Sequence, residues 1–162
     1  MEPLSSSSSS VVGGGGLNSV FVYGSLLADE VVRLLLKRVP LSSPATLPNF
    51  HRFSIKGRIY PAIKPVENNK VTGRVLLGVT DPELEVLDIF EDVEYERRLV
   101  DVTLIDRYEK LDAYAYVWVD KNDPNLYGDW DFEAQVFTRT IEEQNGGRSS
   151  LADHCYPQLI RL

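Results

Sequence analysis

Two periods of apolar residues alternate along this chain, and the switches between them mark its elements. Ser19 to Tyr23 is short, apolar and β-branched or aromatic, which predicts a buried strand. Residues 29–38 (Asp-Glu-Val-Val-Arg-Leu-Leu-Leu-Lys-Arg) change to a helical pattern. Asp29 and Glu30 at the start, Lys37 and Arg38 at the end and Pro40 as a stop all complement a helix. Residues 46–63 predict two strands around Lys56-Gly57, ending at Pro61, and residues 70–79 a further strand whose glycines mark bends or bulges. Asp81 is expected to cap a helix with Pro82 at its first position. In it, Leu84, Leu87 and the Ile89/Phe90 pair recur at helical spacing. After Glu91 the pattern returns to strands, over 97–106 and 111–119, joined by the polar turn Arg107-Tyr108-Glu109-Lys110 as in an antiparallel hairpin. The second alternates, with Leu111, Ala113, Ala115, Val117 and Val119 on one face and Tyr114, Tyr116 and Trp118 on the other. Both of its faces should therefore be covered. Strands outnumber helices and no repeat is visible. The expected class is α+β: a small, strongly curved mixed sheet or β-barrel with two or three peripheral helices.

The chain's 162 residues suit one domain with a single core. Six serines at 5–10 and four glycines at 13–16 make residues 1–19 low-complexity. Such a segment buries too little apolar surface to offset its ordering entropy, so residues 1–18 are expected to be a disordered tail. The tail carries one charge, Glu2, and the first basic residue is Arg33, which speaks against a mitochondrial presequence. It also lacks the apolar core of about 7–15 residues that a secretory signal needs, and a Ser-rich plastid peptide is the alternative. Net charge is −7, with 17 basic residues scattered among 24 acidic ones, which argues against nucleic acid or an anionic membrane surface as partner. No apolar run approaches the ~20 residues of a membrane span. The single cysteine, Cys155, precludes an intrachain disulfide, fits a reducing compartment and has no activating motif around it. A cytoplasmic protein is expected.

Chemistry concentrates in two motifs. Val22-Tyr23-Gly24-Ser25-Leu26 ends the first strand and opens a helix near Ala28. A strand that breaks at glycine before a helix leaves backbone N–H groups suited to a carboxylate, a phosphate or a developing oxyanion. A plain turn is the competing reading of the same residues. About 65 residues later comes Leu87-Asp88-Ile89-Phe90-Glu91, followed by Asp92-Val93-Glu94-Tyr95-Glu96-Arg97. Glu91 ends an amphipathic helix beside Phe90 and Val93. Burial there would raise its pKa toward the range useful for proton transfer, whereas a solvated glutamate in an acidic run is the alternative.

Together, Y-G-S-L after the first strand and L-D-x-x-E…Y-x-R after a central helix resemble the γ-glutamylcyclotransferase-like family, in particular its plant avirulence-responsive branch. The resemblance runs from about Val20 to Phe132. It includes Lys56-Gly57-Arg58-Ile59-Tyr60-Pro61-Ala62, Val71-Thr72-Gly73-Arg74-Val75 and Asp123-Pro124-Asn125-Leu126-Tyr127-Gly128-Asp129-Trp130. It implies a closed or nearly closed barrel and a domain over 19–139. It also implies a loop (Tyr23, Gly24, Ser25, Leu26, Leu27, Ala28) that binds substrate through backbone amides, with Glu91 as proton acceptor. The implied reaction is intramolecular aminolysis of a small γ-glutamyl amide, releasing 5-oxoproline and an amine or amino acid. It requires no metal, cofactor or protein nucleophile. Tyr95 and Tyr127 resemble aromatic positions near the family's pocket and would donate hydrogen bonds, or else pack in the sheet. His51 is read as packing beside Phe50 and Phe53, the Arg97-Arg98 pair as a solvated strand end or an attractor of anionic substrate, and Glu94 and Glu96 as solvent-facing. Many relatives have glycine after the glutamate. Here Asp92 is expected to raise the pKa of Glu91 further or perturb its turn. The match fades after Phe132, and residues 140–162, with His154, are expected to be a divergent flexible tail. The alternative function is a catalytically silent stress- or defence-related binding protein of the same fold.

Overall fold

The computed structural model describes residues 16–132; the expectations for residues 1–15 and for 133–162, including His154 and Cys155, lie outside them. The order of elements is β1 (Leu17–Val22), a 3-10 turn (Ser25–Leu27), α1 (Asp29–Leu36), β2 (Ser42–Ile55), β3 (Ala62–Thr80), α2 (Asp81–Glu91), β4 (Tyr95–Leu104), β5 (Glu109–Trp118) and β6 (Leu126–Tyr127). This is the expected α+β class, with two α-helices among the described residues. No helix among the described residues is long and apolar enough to cross a membrane.

The sheet curls until its ends meet. Its order is β3-β1-β5-β4-β2-β6, and β2 also pairs with β3. β1 runs antiparallel to β3 and parallel to β5, where Val20 faces Tyr114. β4 and β5 form the expected hairpin, in register from Tyr95↔Trp118 to Leu104↔Glu109. The seam between β2 and β4 is short, just Ala45↔Leu104 and Thr46↔Thr103.

Period-two patterning explains why the curled sheet is stable: alternate residues feed two separate cores. Phe21 and Tyr23 with Ala113, Ala115 and Val117 point inside the curl, among Ile63, Val71, Val75 and Val102. Val20, Val22, Tyr116 and Trp118 point outward and are covered by Val31, Val32 and Leu36 of α1 and Leu84, Leu87 and Phe90 of α2. Both faces of β5 are thus buried, as its pattern predicts. Val119 is the exception, 51% exposed beyond the strand's end.

Several boundaries differ from expectation, each for a local reason. β1 begins at Leu17, inside the expected tail, where the Asn18 side chain donates to Val79 O at 3.0 Å and to Asp81 Oδ1 at 2.9 Å. α1 stops at Leu36 because Lys37 turns left-handed (φ 67°), before Pro40 is reached. Thr80, not Asp81, caps α2. Its side chain accepts from the Glu83 amide while the Glu83 carboxylate accepts from the Thr80 amide, a capping box that places Pro82 one position further in. The second strand of the Lys56-Gly57 pair starts after Pro61 and runs unbroken into the strand expected at 70–79. Between Pro48↔Lys70 and Phe50↔Pro65 the register slips at Asn49 and Asn68, both left-handed, with Asn68 N–H donating to Asn49 Oδ1 at 3.1 Å. The glycine bends are present. Gly78 (φ 71°) lies at the bulge opposite Ser19, and β1 passes so close to Gly73 that a Cβ there would strike Val22 O.

Candidate active site

Helical periodicity carries Glu91 into the interior. Leu84, Leu87 and Glu91 stand three and four residues apart, so the stripe of α2 that faces the core ends in a carboxyl. Glu91 is 6% exposed. The start of the helix is held by its capping box and by Arg38, which grips both Glu83 oxygens at 2.7 Å. Its end is fixed by Asp92, whose amide donates to Asp88 O and whose backbone (φ 66°, ψ −168°) turns the chain sharply into β4.

Facing Glu91 is the end of β1. After Tyr23 the chain breaks at Gly24 and closes a 3-10 turn, with Leu27 N–H donating to Gly24 O (2.9 Å) and Ala28 N–H to Ser25 O (3.0 Å). Those bonds commit the Leu27 and Ala28 amides inside the chain, and both side chains pack against the outer core. One cleft of about 280 Å³, its open mouth included, is lined by Phe21, Val22, Tyr23, Gly24, Ser25, Leu26, Pro61, Glu91, Tyr95 and Tyr116. Glu91 and the first four residues of the expected loop therefore meet in one pocket. Leu27 and Ala28 do not line it.

Three phenols wall the cleft, and each has a protein acceptor for its proton. Tyr23 OH donates to Tyr116 O (2.5 Å), Tyr95 OH to Pro61 O (2.7 Å) and Tyr116 OH to Asp88 Oδ1 (2.6 Å). Burial holds all three well above the ordinary phenol pKa. They are rigid, uncharged walls. Tyr95 is therefore fixed by Pro61 rather than available as a donor, and Tyr127 lies outside the cleft on β6, half-exposed.

No described residue donates a hydrogen bond to the Glu91 carboxyl or pairs with it. Burial raises its pKa well above the usual range, and the charge of Asp88 raises it further. Asp92 adds nothing to that shift and acts on the turn instead, through its left-handed backbone. Its carboxylate accepts from the Val93 amide at 2.8 Å, on the surface. Asp88 itself is tied to Tyr116 and to Arg97 Nη1 (3.1 Å), and the Arg97 guanidinium lies 4.9 Å from the Tyr114 ring. Arg97 is thus a partner of α2 rather than a solvated strand end. Glu94, expected in solvent, binds Arg58 Nη1 at 2.6 Å. His51 packs edge-on against Phe53 and pairs with Asp129, away from the cleft.

Tyr116 and Asp88 are the site residues that sequence reading passed over. Asp88 precedes Glu91 by three residues, one turn along the same helix, and that spacing was the available signal. No cluster of three or more potential metal ligands occurs among the described residues.

Known proteins resemble this chain in sequence and in fold. A family model described as gamma-glutamyl cyclotransferase, AIG2-like, matches residues 20–132. AIG2-like protein D of Arabidopsis thaliana is 65% identical over 118 residues, spanning 72% of this chain and 78% of that protein. A solution structure of another Arabidopsis thaliana protein superposes with a TM-score of 0.67 at 44% identity, covering 80% of this chain and 88% of the other. A structure described as gamma-glutamyl cyclotransferase shares the fold, with a TM-score of 0.56 at 17% identity over 84% of this chain and 86% of that one. The chain belongs to the AIG2-like gamma-glutamyl cyclotransferase family.

Proposed function

We propose that this protein is a γ-glutamylcyclotransferase, an acyltransferase-type enzyme that cyclises a small γ-glutamyl amide to 5-oxoproline. One observation carries the reading: a buried carboxyl without a described partner, Glu91, shares a cleft with a strand-to-helix turn. Glu91 takes a proton from the substrate α-ammonium, and the freed amine attacks the γ-carbonyl carbon. The C–N bond of the five-membered ring forms, Glu91 gives its proton to the departing nitrogen as the γ-amide C–N bond breaks, and the ring nitrogen's second proton leaves with the released amine as its ammonium. Backbone N–H groups of the turn face the carbonyl oxygen as it gains charge. The nucleophile is tethered within the substrate, so the tyrosine walls need only hold it folded and dry. The raised pKa makes Glu91 a stronger base, while the incoming ammonium favours its ionised form. That same burial also favours a second reading, a catalytically silent binding protein, because a carboxyl that keeps its proton cannot accept another.

The decisive measurement is 5-oxoproline release from a panel of γ-glutamyl amines, γ-glutamyl amino acids and glutathione. Turnover is expected from at least one. Glu91→Gln keeps shape and reach but removes the acceptor, so turnover should fall roughly 10²–10⁴-fold while 5-oxoproline binding survives. Near-normal activity of Glu91→Gln would sink the assignment. Binding without turnover across the whole panel would establish the silent reading.

A further inference from the structure

Two arginines, neither of which lines the cleft, hold the turn from behind. Arg52 of β2 reaches the Tyr23 carbonyl with Nη1 at 2.8 Å and the Thr72 carbonyl at 3.1 Å. Arg74 of β3 reaches the Leu26 carbonyl with Nη2 at 3.0 Å and Asp29 Oδ1 with Nη1 at 2.8 Å. The carbonyls at both ends of Tyr23–Leu26 are thereby fixed by guanidinium groups. Arg52 is itself held, with its guanidinium 5.6 Å from the ring of Trp130, whose indole N–H donates to Ile59 O at 2.8 Å.

A trans peptide carries its C=O and N–H on opposite sides. Tyr23 and Gly24 line the cleft and Arg52 does not, so the Tyr23–Gly24 peptide stands between guanidinium and cavity. Pinning the Tyr23 oxygen toward Arg52 turns the Gly24 N–H the other way. No described residue accepts from that amide, whereas the Leu27 and Ala28 amides are committed within the turn. A hydrogen bond from a cation to the carbonyl also polarises the peptide, which makes its N–H a better donor.

We infer that Arg52 is a positioning residue: by holding the Tyr23 carbonyl it aims the Gly24 N–H into the cleft, as donor to an α-carboxylate oxygen, which the γ-glutamyl substrate and 5-oxoproline share and the reaction leaves unchanged. This rests on the γ-glutamyl reading above. A contact made equally to substrate and product contributes to binding rather than to the chemical step, so its loss raises KM and leaves kcat nearly unchanged.

The test uses the full chain, ¹⁵N-labelled and titrated with 5-oxoproline, beside Arg52→Gln and Arg52→Lys. In the parent the Gly24 amide proton should move downfield on saturation. In Arg52→Gln that movement should vanish, with 5-oxoproline binding weaker and KM higher by about tenfold and kcat within about threefold. Arg52→Lys keeps a cation and a donor and should recover most of the binding. A lower Tm in Arg52→Gln with unchanged KM and an unchanged Gly24 response would show that Arg52 only braces the fold, and would overturn the inference. A parent that binds 5-oxoproline without moving the Gly24 amide would overturn it too, a result readable even if Arg52→Gln does not fold. A parent that neither binds 5-oxoproline nor releases it would defeat the γ-glutamyl reading, and this inference with it.

Discussion

Glu91 destabilises the fold that holds it. Its folded pKa lies well above the 4.5 of an ordinary glutamate, first because it is buried and then because Asp88 is charged. Between about 4.5 and that raised value the native state binds the proton more tightly than the unfolded chain does. Stability therefore falls as pH rises through this window, and is unaffected by the group below it. Glu91→Gln should match the parent's stability below pH 4.5 and exceed it increasingly as pH rises. Urea denaturation from pH 4 to 8 checks this, and parallel curves would show that Glu91 is not desolvated. Glu91 could be singled out from sequence by its place at the end of an amphipathic helix and by the L-D-x-x-E motif. Its tuning could not. Asp92 is adjacent in the chain but is turned to the surface by its own backbone, whereas Asp88, a full turn away in sequence, is the acid whose charge reaches Glu91.

The elements were legible where local signals and tertiary contacts agree, and illegible where one overrides the other. Thr80-x-x-Glu83 had the spacing of a capping box, but Asp81, a good capping residue beside a proline, competes with it on residue type alone. Residues 64–69 fall between the two expected strands, yet they lie inside β3 because β2 runs alongside and two left-handed asparagines absorb the slip. β6 has two residues, too few for any period, and exists through its pairing with Ser54 and Ile55. The end of α2 shows the opposite conflict. Asp92, with φ 66° and ψ −168°, occupies a conformation nearly reserved for glycine. Asp92→Gly should relieve that strain and, after loss of the Val93 hydrogen bond and the extra unfolded-state entropy of glycine, raise stability by about 1 kcal/mol. Turnover should stay at the parental level. A loss of stability in the same denaturation experiment would mean that the Asp92 side chain holds the turn more strongly than its backbone opposes it.

At the scale of the whole molecule, closure of the sheet depends on β3 lying between β1 and β2 near Gly73. That residue pairs with Ala45, while its neighbour Arg74 pairs with Val22. A Cβ on Gly73 would meet the Val22 carbonyl and the Phe21 ring, and the carbonyl is backbone that cannot rotate aside. Gly73→Ala should therefore cost at least about 3 kcal/mol, the upper end of overpacking effects, and weaken ligand binding by shifting Val22 at the cleft wall. Thermal unfolding and 5-oxoproline titration measure the two effects, and a parental Tm would refute the close approach. Sequence reading anticipated the curvature from the number of strands and the glycines, but not which strands meet, because the parallel β1–β5 pairing leaves no local mark. That pairing sets an order of events during synthesis. Val20 emerges from the ribosome early, while its partner Tyr114 follows more than ninety residues later. At roughly 5–20 residues per second, β1 waits on the order of 5–20 s for its second neighbour. Val20, Phe21 and Val22 remain incompletely covered throughout, so the nascent chain passes through a stage suited to chaperone capture, and the cleft lacks its last wall until Tyr116 has followed.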